Sequence, residues 1–238
     1  MDWLTPEIAA LSATAVTIAF VHTLLGPDHY LPFVALSKAR GWTVKKTLAI
    51  TAGCGLGHAA GSVALGFIGI ALGTALSTMT GIESWRGDLA AWGLTAFGVV
   101  YLAISLKRPA RKQRHSHPHV HADGTVHQHA HDHHGVHVHA HEEARSSNVS
   151  WAIFIVFVLG PCEALIPLLM VPASQSDMAG VWLVTGLFVS VTLVTMLAAV
   201  ALSLVGLKQV RLPAIQRYGG VVAGAAICCC GLAMLAGL

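Results

Sequence analysis

The chain has 238 residues, 55% of them hydrophobic and only 11% charged, with a net charge of +3. Ordinary soluble domains carry about 25% charged residues, so a water-soluble fold is excluded and no room remains for a separate soluble catalytic domain. The expectation is therefore a non-enzymatic membrane protein, with lipid as its solvent and no nucleic-acid partner.

Crossing a bilayer takes about 20 apolar residues, and six runs of that kind fall at approximately 8–36, 47–77, 88–106, 149–172, 179–206 and 217–237. The predicted fold class is an all-α membrane protein of six transmembrane helices. Thirteen of the 14 lysines and arginines lie in loops on one side, and Arg86 alone is read on the other. Basic loops stay in the cytoplasm, so both termini are predicted outside. The N-terminus has Asp2 and Glu7 with no early Lys or Arg, and does not read as a cleaved signal peptide.

The first run is too long for one straight crossing. It contains His22, then Leu25-Gly26-Pro27-Asp28-His29-Tyr30-Leu31. Glycine lets the chain change direction and proline removes a backbone donor, so a break is predicted at Gly26-Pro27. Its freed carbonyls and helix ends can face a cation or a water-filled cavity. On an unbroken helix His22 and His29 would lie roughly 10 Å apart along the axis, too far to share one ion. A break can bring them together. The second run adds Cys54 and His58, four residues apart and on one face, among glycines that permit close helix approach. Cys54 is read as packing.

Between the third and fourth runs lie twelve histidines from His115 to His141, many alternating as His-x-His. The segment is too polar to build a core and is expected to be disordered without metal. Such tracts bind late divalent metals through neutral imidazole.

The fourth run opens on Leu159-Gly160-Pro161-Cys162-Glu163-Ala164-Leu165, which repeats the Gly-Pro phrase of Leu25–Leu31 134 residues later. Six spans divide into three and three. Because three is odd, the second unit enters the membrane from the opposite face, as in the inverted repeats of many secondary transporters. The predicted organisation is a first three-helix repeat over 1–106, a His-rich cytoplasmic loop over 107–148 and a second repeat over 149–238, with the first and fourth helices broken. An ionised carboxylate at the bilayer centre costs on the order of 2.5–3.5 kcal/mol, so Asp28 and Glu163 are expected to be functional. His22, Asp28, His29, His58, Cys162 and Glu163 form the expected metal site. Imidazole with carboxylate suits nickel, cobalt or zinc better than magnesium or calcium. Cys228-Cys229-Cys230, in the last run, lacks Cys-x-x-Cys spacing and is read as helix packing.

These motifs resemble the nickel/cobalt transporter family and the related nickel/cobalt efflux permeases, within the wider lysine exporter superfamily. The resemblance rests on His22 with Asp28-His29, on Gly55-Leu56-Gly57-His58, on the His-rich loop and on Gly160-Pro161-Cys162. In the permeases four residues separate the histidine from the Asp-His pair, whereas five separate His22 from Asp28. The resemblance implies transport of nickel or cobalt across a bacterial inner membrane, with His22, Asp28, His29 and His58 handling the metal; Glu163 is added from the repeat alone. No tightly bound cofactor is expected, only the transported ion. A cytoplasmic metallochaperone or an accessory subunit would be the partner, since no ATP-binding motif is present. Direction is open, with a slight lean to uptake from the Asp-His pair. Two rivals stand beside this reading. A membrane thiol-disulfide carrier would use Cys162, but Asp28 occupies its partner position. An anion exporter of the same superfamily is disfavoured by Asp28 and Glu163.

Overall fold

The computed structural model describes residues 5–107, 116–120, 126–130, 141–162, 164–175, 177–209 and 213–237. Thr5 caps the first helix, α1 (Pro6–Leu25), by accepting the Ile8 amide at 3.3 Å. Pro6 fills the first turn beside Glu7, where a fixed φ and an acid both favour the helix start. α1 stops at Leu25. Gly26 is extended (φ −84°, ψ 95°), Pro27–His29 make one 3-10 turn, and α2 (Leu31–Arg40) resumes the helix. Gly41 ends α2 at φ 65°, a left-handed conformation that suits glycine. Thr43 then caps α3 (Val44–Ala71) by accepting the Lys46 amide at 3.2 Å. The Thr47 hydroxyl donates to Ser37 Oγ at 2.8 Å and ties α3 back to α2.

α4 runs unbroken from Leu76 to Leu106, which corrects the expected start of the third span at 88. Arg86 is consequently not a loop residue but lies inside the span, with Glu83 one turn before it. Two charges of opposite sign depress the local hydropathy without stopping the helix, because each neutralises the other.

In the His-rich loop β1 (Ser116–Val120) and β2 (Val126–Ala130) pair antiparallel, with His117 opposite His129 and His119 opposite His127. The next helix, α5 (His141–Leu159), begins ahead of the expected 149. α5 ends before Gly160-Pro161, and α6 (Leu165–Ser174) begins after it. The two breaks are equally long, from Leu25 to Leu31 and from Leu159 to Leu165. α7 (Met178–Gln209) and α8 (Pro213–Leu235) complete the chain, α8 being kinked at Tyr218.

Five helices among the described residues are long and apolar enough to cross a membrane: α1, α3, α4, Met178–Leu207 of α7 and Tyr218–Leu235 of α8. The fourth apolar run is divided by its break into Asn148–Leu159 and Leu165–Ser174, each too short alone. The outer surface is strongly apolar, with Leu25 74%, Leu72 72% and Leu202 72% exposed. Patches of that kind are unusual on a soluble monomer and suit a protein solvated by lipid.

α4 packs along α8, α1 against α7, α2 against α8, and α3 against both α5 and α7. The α4–α8 contact is close because glycines face backbone: Gly98 meets Cys228, and a β-carbon on Gly224 would sit 2.6 Å from the Leu102 amide nitrogen. One apolar cluster centres on Phe33, Leu36, Ile153, Phe157 and Met196, and a second on Cys162, Leu165, Val184 and Phe188. The two helix breaks bring polar groups inside this framework.

A candidate metal centre at the first helix break

His22 lies in the last turn of α1, His29 in the 3-10 turn and His58 midway along α3. The turn folds His29 back toward His22, so their rings meet edge to face with centroids 4.8 Å apart; His29 and His58 meet similarly at 5.3 Å. Each of the three offers one ring nitrogen within 4.8 Å of the others. The Nε2 atoms of His22, His29 and His58 are all buried without a hydrogen-bond partner. Leaving one buried polar atom unsatisfied costs about 1–3 kcal/mol, and three converging in one place is an arrangement that a shared cation relieves. Of the fifteen histidines in the chain, twelve lie in the loop, and the other three are these.

Asp28 stands behind this group. Its Oδ2 is 3.3 Å from His29 Nδ1, which also approaches the Gly26 carbonyl at 3.2 Å. With Nδ1–H donating to these oxygens, the lone pair is left on the buried, unpartnered Nε2. A carboxylate behind a ligating histidine fixes ring and tautomer and raises basicity. Gly26 makes the arrangement possible, since a β-carbon there would sit 2.7 Å from His29 Nδ1 and 2.9 Å from Asp28 Oδ1. His58 packs against the second break, where a β-carbon on Gly160 would lie 3.0 Å from His58 Nδ1.

A cavity of about 700 Å³ opens onto the three histidines and Asp28. Ser84, Gly87 and Asp88 of α4 line it, as do Gly160 and Pro161. The two Gly-Pro breaks therefore border the same space. Three imidazoles suit a late divalent transition metal, and open space beside them leaves room for water or a further donor.

Not every expected residue joins the group. Cys162 is fully buried beyond the second break, its amide donating to Ser62 Oγ at 3.0 Å, and is not part of the histidine cluster. Its side chain belongs to the apolar cluster with Leu165, Val184 and Phe188. Glu163 lies outside the described residues. Cys54 is buried in an apolar cluster, and Cys228 packs on Gly98, both as packing residues.

The sequence reading missed Glu83, Arg86 and Ser62. Arg86 Nη1 is 2.7 Å from Glu83 Oε1, and Nη2 donates to the Val158 carbonyl at 3.0 Å. The signal was available: opposite charges three residues apart between two apolar runs are a helical pair.

Compared with protein-family models, with curated proteins and with solved structures, the chain finds no match in any of the three.

Proposed function

We propose that this membrane protein transports a divalent transition-metal cation, nickel or cobalt, through the site formed by His22, His29 and His58. The observation that carries the reading is the convergence of three buried, unpartnered imidazole nitrogens beside a cavity at two helix breaks. Binding requires neutral imidazoles, which acid removes, and protons are accordingly the natural coupling ion. Asp28 holds the His29 tautomer and supplies negative charge that offsets the incoming cation.

The architecture is read as an inverted three-plus-three repeat in which α5 and α6 together count as one broken span. Equal break lengths support it. So does the packing, where α1 on α7 matches α5 on α3, α2 on α8 matches α6 on α4, and α4 meets α8 at the pseudo-symmetric centre. Discontinuous helices at the repeat interface are where such transporters hold their ions. Rocking of the halves about the breaks would expose the histidines alternately to each side. In this reading the protein lies in a bacterial inner membrane with its termini outside, as a divergent relative of the nickel/cobalt permeases. The His-rich loop is cytoplasmic, and exchanges ions with the pore or with a metallochaperone. Uptake is the direction adopted.

Cellular accumulation of radioactive nickel and cobalt tests this. Cells expressing the protein are expected to differ from controls in metal content, and His29→Ala is expected to abolish the difference. Unchanged nickel and cobalt content, with no effect of His29→Ala, would sink the transport reading.

A further inference from the structure

The Glu83–Arg86 pair lies inside α4, roughly 15 Å from the start of the helix at 1.5 Å per residue, where charge is expensive. Glu83 is fully buried. Neither residue lines the cavity, so neither touches the cargo there. What Arg86 does touch is the second helix break. In a continuous helix the Val158 carbonyl would accept the amide of residue 162. Here the Cys162 amide is taken by Ser62 Oγ, and Arg86 Nη2 donates to Val158 instead. The guanidinium also approaches the Gly160 carbonyl and Ser62 Oγ, each at 3.5 Å. Gly61 leaves the opening for it, since a β-carbon there would sit 2.5 Å from Arg86 Nη2 and 3.0 Å from the Val158 oxygen. Arginine suits this position because its planar fork reaches several acceptors at once, which a lysine ammonium on a flexible stem does not.

Gly160, whose carbonyl the guanidinium approaches, is also the residue against which His58 packs, since a β-carbon there would sit 3.0 Å from His58 Nδ1. Two segments thus meet in one small region: His58, Gly61 and Ser62 on α3, and Phe157, Val158 and Gly160 around the end of α5. We infer that Arg86, held by Glu83, is a positioning residue for the metal site: by fixing the Val158 and Gly160 carbonyls at the second break it holds the backbone against which His58 packs, and so sets the orientation of that ring. The inference rests on the metal-site reading above. It adds a third layer behind the ligands, since Asp28 serves His29 while Arg86 serves His58 through backbone. At this break the Gly160 amide donates to the Phe157 carbonyl at 3.0 Å, and the buried guanidinium holds the next carbonyl, that of Val158.

The test uses the full-length protein in detergent micelles with cobalt(II) as the probe, following the affinity and visible ligand-field spectrum of the component that His29→Ala removes, which separates the helix-break site from the His-rich loop. Arg86→Lys keeps a charge beside Glu83 but loses the fork. Glu83→Gln combined with Arg86→Met removes both charges, so that no buried ion is left unpaired. Both variants are expected to bind cobalt about 10- to 100-fold more weakly, the range for lost outer-shell partners, with a spectrum shifted toward that of His58→Ala. In a His58→Ala background the Arg86→Lys effect is expected to vanish, because the two act through one ligand. A variant that binds cobalt like the unaltered protein, or an Arg86→Lys loss that persists undiminished without His58, would overturn the inference while leaving the metal site standing. Failure of the unaltered protein to bind cobalt at all would overturn both.

Discussion

The three histidines differ in what lies behind them, and the differences are testable one residue at a time. His29 has a carboxylate and a carbonyl at Nδ1, whereas His58 Nδ1 lies against the Gly160 backbone. Asp28→Asn preserves the size of the side chain but removes its charge and makes it a potential donor. Metal affinity, measured by calorimetry with nickel, is expected to fall about 10- to 100-fold, less than for His29→Ala. Equal losses in the two variants would instead make Asp28 a direct ligand. His22, Asp28, His29 and His58 were legible in the sequence because polar side chains are rare in apolar runs and therefore stand out. The distinction between ligand and support was not legible, since spacing cannot say which atom of Asp28 faces which ring nitrogen. Arg86 was hidden for a related reason: read one residue at a time, a lone cation between apolar runs marks a loop, and only its pairing with Glu83 keeps it in the helix.

At the scale of elements, the first break creates the site. His22 and His29 come together because Gly26 leaves the helix and Pro27–His29 turn tightly. Gly26→Ala puts a methyl group where His29 Nδ1 and Asp28 now lie, so His29 must move away from its partners. Helical content by circular dichroism is expected to be unchanged while nickel affinity drops as it does for Asp28→Asn; undiminished affinity would show that the turn does not set the ligand geometry. Helix packing gives a second prediction. Gly224→Ala forces a β-carbon into the α4 backbone and is expected to destabilise by about 1–3 kcal/mol. Gly81 meets nothing within 4 Å, so Gly81→Ala is expected to stabilise α4 by about 0.5–1 kcal/mol. Denaturation midpoints in mixed detergent micelles distinguish them. Both breaks were readable from Gly-Pro within apolar runs, as were most helix cores. The start of α4 at Leu76 was not, because charged residues lower hydropathy whether or not the helix continues.

On the scale of the whole molecule, the proposed function sets two histidine populations in competition for the same metals. Three are fixed between helices, and twelve lie in a loop whose strands place His117 opposite His129 and His119 opposite His127. The account assigns translocation to the first population and ion exchange in the cytoplasm to the second. That division of labour rests on the proposed orientation, in which the basic loops lie in the cytoplasm. Metal bound by the whole protein therefore does not by itself identify the pore site.

The most direct measurement is an anomalous difference map at the nickel absorption edge, from crystals of the protein lacking residues 115–140 grown with nickel. The account predicts one strong peak bonded by His22, His29 and His58 beside the cavity, lost in His29→Ala crystals. A nickel-free cavity in these crystals, with nickel bound only when the loop is restored, would contradict it.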